Sequence, residues 1–135
     1  MTHFQNQTKI LCSEEIINIA RNLKNSKGVG LDGFSTPVVK QIITDISAPL
    51  TTIFNKSLEH GIFPDKLKLA KVTPVFKSDN RLMISNYRPI SVLPVFSKIL
   101  EKLMNSRLQN FVDKHKILCD NQYGFRENIP PTWQS

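Results

Sequence analysis

The sequence predicts an α+β fold, mostly helical, with a small strand-rich patch and one long helix. Three observations carry that prediction. Apolar residues recur every three to four positions through most of the chain. The period drops to two in one stretch, Ala70 to Phe76, which marks a strand. A length of 135 residues with 40% hydrophobic content suffices for one modest core.

The elements follow in order. In SEEIINIARNLKNSK, Ser13 offers an N-cap, Glu14 and Glu15 suit the positive end of a helix, and Ile16, Ile17, Ala20 and Leu23 recur at helical spacing. Pro37, in STPVVKQIITDI, suits the first turn of a second helix capped by Ser35 or Thr36, with Val38, Val39, Ile42 and Ile43 as its apolar face. SAPLTTIFNKSLEHG predicts a third helix, capped by Ser47, faced by Leu50, Ile53, Phe54 and Leu58, and stopped at Gly61. AKVTPVFK then alternates, with Val72 and Pro74 on one side and Thr73 and Val75 on the other. Pro74 confines it to an edge or irregular strand. The polar loop KSDNRLMISN leads to YRPISVL, a short extended piece in which Pro89 holds Arg88 away from helical geometry. From Pro94 to His115 the longest helix carries a stripe of Phe96, Ile99, Leu100, Leu103, Leu108, Phe111 and Val112, with Lys98, Lys102 and Arg107 off it. The last residues, CDNQYGFRENIPPTWQS, are turn-rich.

One motif invites a nucleotide-cofactor reading. Gly28, Gly30 and Gly33 spell G-x-G-x-x-G, the spacing of a dinucleotide-binding turn. That chemistry needs a strand running into the first glycine, so that backbone N–H groups and a helix N-terminus face a pyrophosphate. Here the glycines follow a helix, and the acid expected about 20 positions on has no counterpart but Glu59. A plain glycine-rich turn is the better reading.

Other classes are excluded on composition. No apolar run approaches the roughly 18 residues of a membrane span, and MTHFQNQTK lacks the charged-then-apolar pattern of a signal peptide, so an intracellular protein, nuclear or cytoplasmic and not secreted, is expected. Cys12 and Cys119 stand alone and His3, His60 and His115 are scattered, which gives no metal-ligand spacing. Buried or idle thiols are expected. The glycosylation-type triplets at Asn6 and Asn55 have no meaning without a secretory route.

The net charge of +7 is unevenly placed. Residues 66–116 hold eleven Lys/Arg against three Asp/Glu, while the flanking stretches are close to neutral. A surface that neutralises phosphates needs such a concentration, because binding releases condensed counterions. A solvated helix face with surplus lysine would look the same, and charge alone does not separate the two.

The strings GLDGF, FNKSLEHGIFPDKLKLAKVTPVFKSDN, NYRPISVLPVFSKILEKLMNSRL and QYGFRENIPPT, in this order, resemble the N-terminal part of the reverse transcriptase of non-LTR retrotransposons, the LINE or jockey-like elements. The resemblance runs from about Glu14 to Arg126. It implies part of the fingers of a right-hand polymerase. Domain boundaries follow: a flexible N-terminus (1–12), a partial reverse transcriptase domain (13–126) and a divergent tail (127–135). GLDG resembles the family's glycine and aspartate turn before the fingers, which makes Gly30, Asp32 and Gly33 structural. Lys77 and Arg88 resemble the fingers lysine and arginine that hold the triphosphate of the incoming nucleotide. Arginine offers a fork of donors to phosphate oxygens, and lysine a point charge. Gln122, Gly124, Phe125 and Arg126, in QYGFR, resemble the motif lining the template side, where an aromatic beside glycine and arginine suits stacking and phosphate contact. Phe125 serves equally well as a core residue. Lys98, Lys102 and Arg107 are candidates for nucleic-acid backbone contact, although a solvent face is the commoner fate of such charges.

What is missing is as informative as what is present. Nucleotidyl transfer in this family uses palm aspartates, the second motif usually Tyr/Phe-Ala-Asp-Asp, that hold two Mg²⁺ ions. The eleven acids of this sequence include no adjacent Asp pair. The Ser/Thr-rich stretch usual after GFR is replaced by ENIPPTWQS. No cofactor is therefore expected on this chain, and truncation or a frame change in a decayed element is the expected origin. The expected function is that of a truncated RNA-directed DNA polymerase, contributing template and incoming-nucleotide contacts and inactive alone. RNA and DNA as template or primer are its expected partners, with nucleoside triphosphate in the full-length family. A co-opted nucleic-acid or protein binding module is the alternative.

Overall fold

The computed structural model describes residues 10–26 and 28–117. Among them the chain forms an α+β arrangement of three α-helices and one two-stranded antiparallel sheet: α1 (Ser13–Arg21), α2 (Thr36–His60), β1 (Lys71–Phe76), β2 (Tyr87–Val92) and α3 (Val95–Lys114). Short 3₁₀ turns at Asp65–Leu67 and Ile84–Asn86 precede the two strands. The chain divides into two compact units after Leu103.

The first unit holds the core. Leu11, Ile16, Ala20 and Leu23 from the α1 region join Val39, Ile43 and Phe54 of α2 and Val95, Ile99, Leu100 and Leu103 of α3. Apart from Leu11 and Val95, these lie on the apolar faces that the 3.6-residue period predicts. Helices α1 and α2 run antiparallel, because Ser13 Oγ lies 3.2 Å from Thr51 Oγ1 while Arg21 Nη2 donates to Thr44 Oγ1 at 3.5 Å. Asn55 ties the entering chain down: its Oδ1 accepts from Leu11 N at 2.8 Å and its Nδ2 donates to Leu11 O at 3.1 Å. One side-chain amide thus satisfies both backbone groups of a buried residue.

Two expectations are corrected. Ser13 is not the cap of α1; that position is Cys12, which makes no capping bond and leaves an exposed thiol, and the Ser13 hydroxyl turns to Thr51 instead. The predicted second and third helices are a single helix of 25 residues with Pro49 inside it. An internal proline removes one helical hydrogen bond and costs about 3 kcal/mol. The buried and half-buried positions Val39, Ile43, Ser47, Leu50, Phe54 and Leu58 nevertheless keep one uninterrupted stripe, so core packing outweighs the local penalty. Hydroxyls take up nearby carbonyls: Ser47 Oγ donates to Thr44 O at 2.9 Å, Thr51 Oγ1 to Ser47 O at 2.6 Å and Thr52 Oγ1 to Ala48 O at 3.2 Å. Ser47 is therefore a buried mid-helix residue and no cap, and Val38 and Ile53 fall off the stripe into solvent. The other two boundaries hold. Ser35 is the N-cap with Pro37 in the first turn, and Gly61 ends α2 in the left-handed region at φ 65°. There Ile62 N bonds Ser57 O at 3.0 Å.

The glycine segment is a turn, as its sequence implies. Gly33 N donates to Gly30 O at 3.2 Å, Phe34 N donates to Asp32 Oδ1 at 3.2 Å, and Gly33 has φ 77°. Gly30 has a second duty. A Cβ there would lie 3.0 Å from Pro94 N and 3.1 Å from Pro94 Cα, so any larger residue would have to push this turn and the β2–α3 junction apart by a few tenths of an ångström.

In the second unit, the end of α3 carries a tilted Phe111–His115 ring pair at 4.4 Å and a Gln109 Nε2 to Asp113 Oδ1 hydrogen bond at 3.0 Å. Leu108, expected on the apolar stripe, is exposed. Among the described residues no helix is long and apolar enough to cross a membrane.

Candidate functional site

The β1–β2 hairpin carries the candidate site. Val72, Thr73, Val75, Ile90 and Val92 give it strand propensity, but every residue of β1 is exposed. Packing on the core does not fix it. What does is its own pairing and the structure of its loop.

The register pairs Thr73 with Ile90, Pro74 with Pro89, Val75 with Arg88 and Phe76 with Tyr87. One residue on, Lys77 N donates to Asn86 O at 2.8 Å, which makes 77–86 a hydrogen-bonded pair. Pairs alternate, so 75–88 is hydrogen-bonded and 74–89 is not. Side chains alternate too, which puts Lys77, Val75 and Arg88 on one face and Phe76, Tyr87, Pro74 and Pro89 on the other. Lys77 and Arg88 are diagonal neighbours on their face, a relation that spaces residues by about 7–8 Å. Both are exposed, and neither side chain has a hydrogen-bond or salt-bridge partner among the described residues.

The connecting loop is pinned to the opposite face. Asn80 Oδ1 accepts from Leu82 N at 2.9 Å and Asn80 O accepts from Asn86 Nδ2 at 2.8 Å, closing the loop on itself. Tyr87 Oη donates to Arg81 O at 2.9 Å. The Arg81 guanidinium sits 5.2 Å from the Phe76 ring centroid, and that ring meets Tyr87 edge-on at 5.6 Å. An aromatic clamp therefore holds the loop on the face opposite Lys77 and Arg88. Sequence reading missed Arg81, Phe76 and Tyr87; the signal was an aromatic at each inner strand end flanking a loop with two asparagines.

The remaining candidates are more dispersed. Lys98 and Lys102 lie one turn apart on α3, off the buried Ile99–Leu100–Leu103 stripe, Lys98 half-buried and Lys102 exposed. Arg107 belongs to the second unit, is half-buried and makes an interaction of its own. Gln122, Gly124, Phe125 and Arg126 lie outside the described residues, as does Cys119. Among the described residues no group of three or more His, Cys, Asp or Glu side chains could hold a metal ion. The cations near the hairpin are not all free: Lys68 Nζ bonds Asp65 Oδ1 at 2.7 Å. That hydrogen bond, with the lysine charge behind it, holds the Asp65 carboxyl below its ordinary range.

A fork of donors and a point charge, exposed on diagonal positions about 7–8 Å apart along the sheet, can grip two or three oxygens of a polyphosphate or two successive phosphates of a strand. Comparison with known proteins bears on which. No family model matches the chain. It is similar to "Probable RNA-directed DNA polymerase from transposon BS" of Drosophila melanogaster, 31% identical over 115 residues, which is 84% of this chain and 13% of the relative. It is also similar to the RNA-directed DNA polymerase from mobile element jockey of Drosophila melanogaster, 32% identical over 84% of this chain and 12% of the relative. The jockey polymerase of Drosophila funebris is 29% identical over 84% of this chain and 12% of the relative. The chain thus spans only 12 to 13% of the length of these three relatives.

Proposed function

The chain belongs to the RNA-directed DNA polymerases of non-LTR retrotransposons, and on that premise we propose that residues 13–126 are part of the polymerase fingers. Lys77 and Arg88 hold the triphosphate of the incoming nucleotide, the arginine fork on its oxygens and the lysine as a point charge. Gln122, Gly124, Phe125 and Arg126 meet the template, and Lys98, Lys102 and Arg107 add contacts to the nucleic-acid backbone. The metal-dependent chemistry belongs to palm aspartates of the family that have no counterpart in this sequence. Mg²⁺ supplies charge neutralisation at the reacting phosphate in the full enzyme. The workplace is nuclear or cytoplasmic, where template and nucleotide are found.

One observation supports this reading above the others: the strand register gathers Lys77 and Arg88 on one exposed face, with neither cation neutralised by a neighbour among the described residues. A pair that grips triphosphate oxygens also meets the phosphates of a strand, so salt dependence of binding to a single-stranded RNA tests the reading. Each phosphate contact adds about 0.7 to the slope of log K against log salt for single strands. Lys77→Ala/Arg88→Ala therefore lowers the slope by about 1.4, and the affinity deficit of the variant shrinks roughly sevenfold between 50 and 200 mM salt. Lys56→Ala, on the exposed side of α2, leaves the slope unchanged. Equal slopes for the hairpin variant and the parent would reject the phosphate grip. A protein partner bound without nucleic-acid affinity would mark a co-opted interaction module instead.

A further inference from the structure

The hairpin presents a second problem. Among the described residues its sheet has two strands, so each strand keeps one open edge there, and it exposes Val72, Val75, Phe76 and Ile90 to solvent. An exposed apolar strand with an unpaired edge is a template for adding another strand. The register supplies the answer. Pro74 and Pro89 face one another across the middle of the hairpin, and the Lys77 N to Asn86 O bond fixes their pair as one of the non-hydrogen-bonded ones. At such pairs the backbone groups of both residues point outward, to the open edges. The N–H that each proline lacks is therefore one the hairpin itself never uses, and the central donor of each edge.

We propose that Pro74 and Pro89 close the two edges of the hairpin to strand addition, one proline for each edge. At positions 72, 74 and 76 the outward groups of β1 read donor, none, donor; at 87, 89 and 91 those of β2 read the same. An incoming strand finds no N–H at the centre of either edge and meets a pyrrolidine ring where the hydrogen would be. The ladder inside the hairpin loses nothing, since its bonds run through Thr73, Val75, Lys77 and their partners. The apolar surface is thereby kept available without templating self-assembly.

The test compares Pro74→Val and Pro89→Val, singly and together, with Thr73→Val/Ser91→Val. The last variant adds two valines without changing any edge donor. Mass is measured by light scattering against the parent chain at about 100 μM, within the micromolar-to-millimolar range where exposed edges associate. Circular dichroism checks the fold. Each single proline variant opens one edge and doubles the mass of the parent species, the double variant grows beyond that into thioflavin-positive assemblies, and the Thr73/Ser91 control keeps the parent mass. Equal association by the control would assign the effect to apolarity and overturn the proposal. So would folded proline variants that keep the parent mass. Should the double variant lose its fold, the single variants decide on the same criterion.

Discussion

Replacing Gly30 by alanine tests how the hairpin is fastened to the core. The backbone at Gly30 is not in the left-handed region, so alanine suits its φ, and the whole cost is steric. The new methyl would sit 3.0 Å from Pro94 N, 3.1 Å from Pro94 Cα and 3.2 Å from Leu93 C, against an optimum of about 3.5–4.0 Å for carbon contacts. All three atoms are backbone, and the chain beyond them enters α3, whose Val95, Ile99, Leu100 and Leu103 are locked in the core. Relief therefore requires moving either the turn or the junction. Overpacking of this kind costs about 1–3 kcal/mol. Lower unfolded-state entropy returns about 0.4–1 kcal/mol for a Gly→Ala change at a compatible backbone position, which leaves a net loss of up to about 2.6 kcal/mol. Gly28 provides the control, because a Cβ there meets only Ser26 Oγ and Val92 side-chain atoms at 3.4 Å or more. Gly28→Ala is expected to be neutral or slightly stabilising. At about 4 °C per kcal/mol, thermal melts followed by circular dichroism should separate the two variants by at least about 4 °C. Coincident melts would show that the turn does not press on the junction and would refute the steric account.

Three further outcomes are expected. Ser97→Ala raises stability by about 1–2 kcal/mol in urea unfolding, because the Ser97 hydroxyl is fully buried with no hydrogen-bond partner among the described residues and its desolvation is regained without opening a cavity; a loss of stability would mean that the hydroxyl is satisfied. The Asp65 carboxyl, followed by NMR, titrates below the ordinary carboxylate range, and Lys68→Ala returns it there. Its pKa is depressed in the fold, so the pair's small contribution to stability is present above the unfolded pKa and fades as pH falls through the folded one. In a primer-extension assay with Mg²⁺ the chain alone gives no incorporation above background, and clear extension would place the metal-binding acids within these residues.

Much of the fold was legible because its signals are local. The helical stripe of Ile99, Leu100 and Leu103, the stop at Gly61, the alternation of Ala70 to Phe76 and the extended YRPISVL each follow from a period or a single residue type. Failures came where tertiary structure overrode a local rule. Ser47 reads as the start of a separate helix, yet the stripe from Val39 to Leu58 continues through it and past Pro49, and the helix with it. Ser13 and Ser47 have the chemistry of caps, but one was needed by Thr51 and the other lies inside a helix. At the site, the resemblance singled out Lys77 and Arg88, but nothing local states that residues eleven apart share a face. That fact is a property of the pairing, and pairing is set by the loop between them.

The way that loop is held explains why the two cations have no side-chain partner among the described residues. A hairpin with β1 wholly exposed gains little from burial, so its conformation must come from cross-strand pairs and from the loop's own bonds. Those demands fall on one face and one end: Phe76, Tyr87 and the Arg81 guanidinium clamp the loop, and Asn80 and Asn86 close it. Neither Lys77 nor Arg88 takes part through its side chain. Their substitution should therefore leave the hairpin intact, whereas Tyr87→Ala removes the hydroxyl bond and the ring contact together and loosens the loop that sets the register. The two kinds of variant divide on structure before any ligand is added. Amide exchange at Lys77 N, which bonds Asn86 O at 2.8 Å, should accelerate in Tyr87→Ala and stay unchanged in Arg88→Ala. If Arg88→Ala speeds it as much, the arginine is holding the hairpin together and is not available to grip a phosphate.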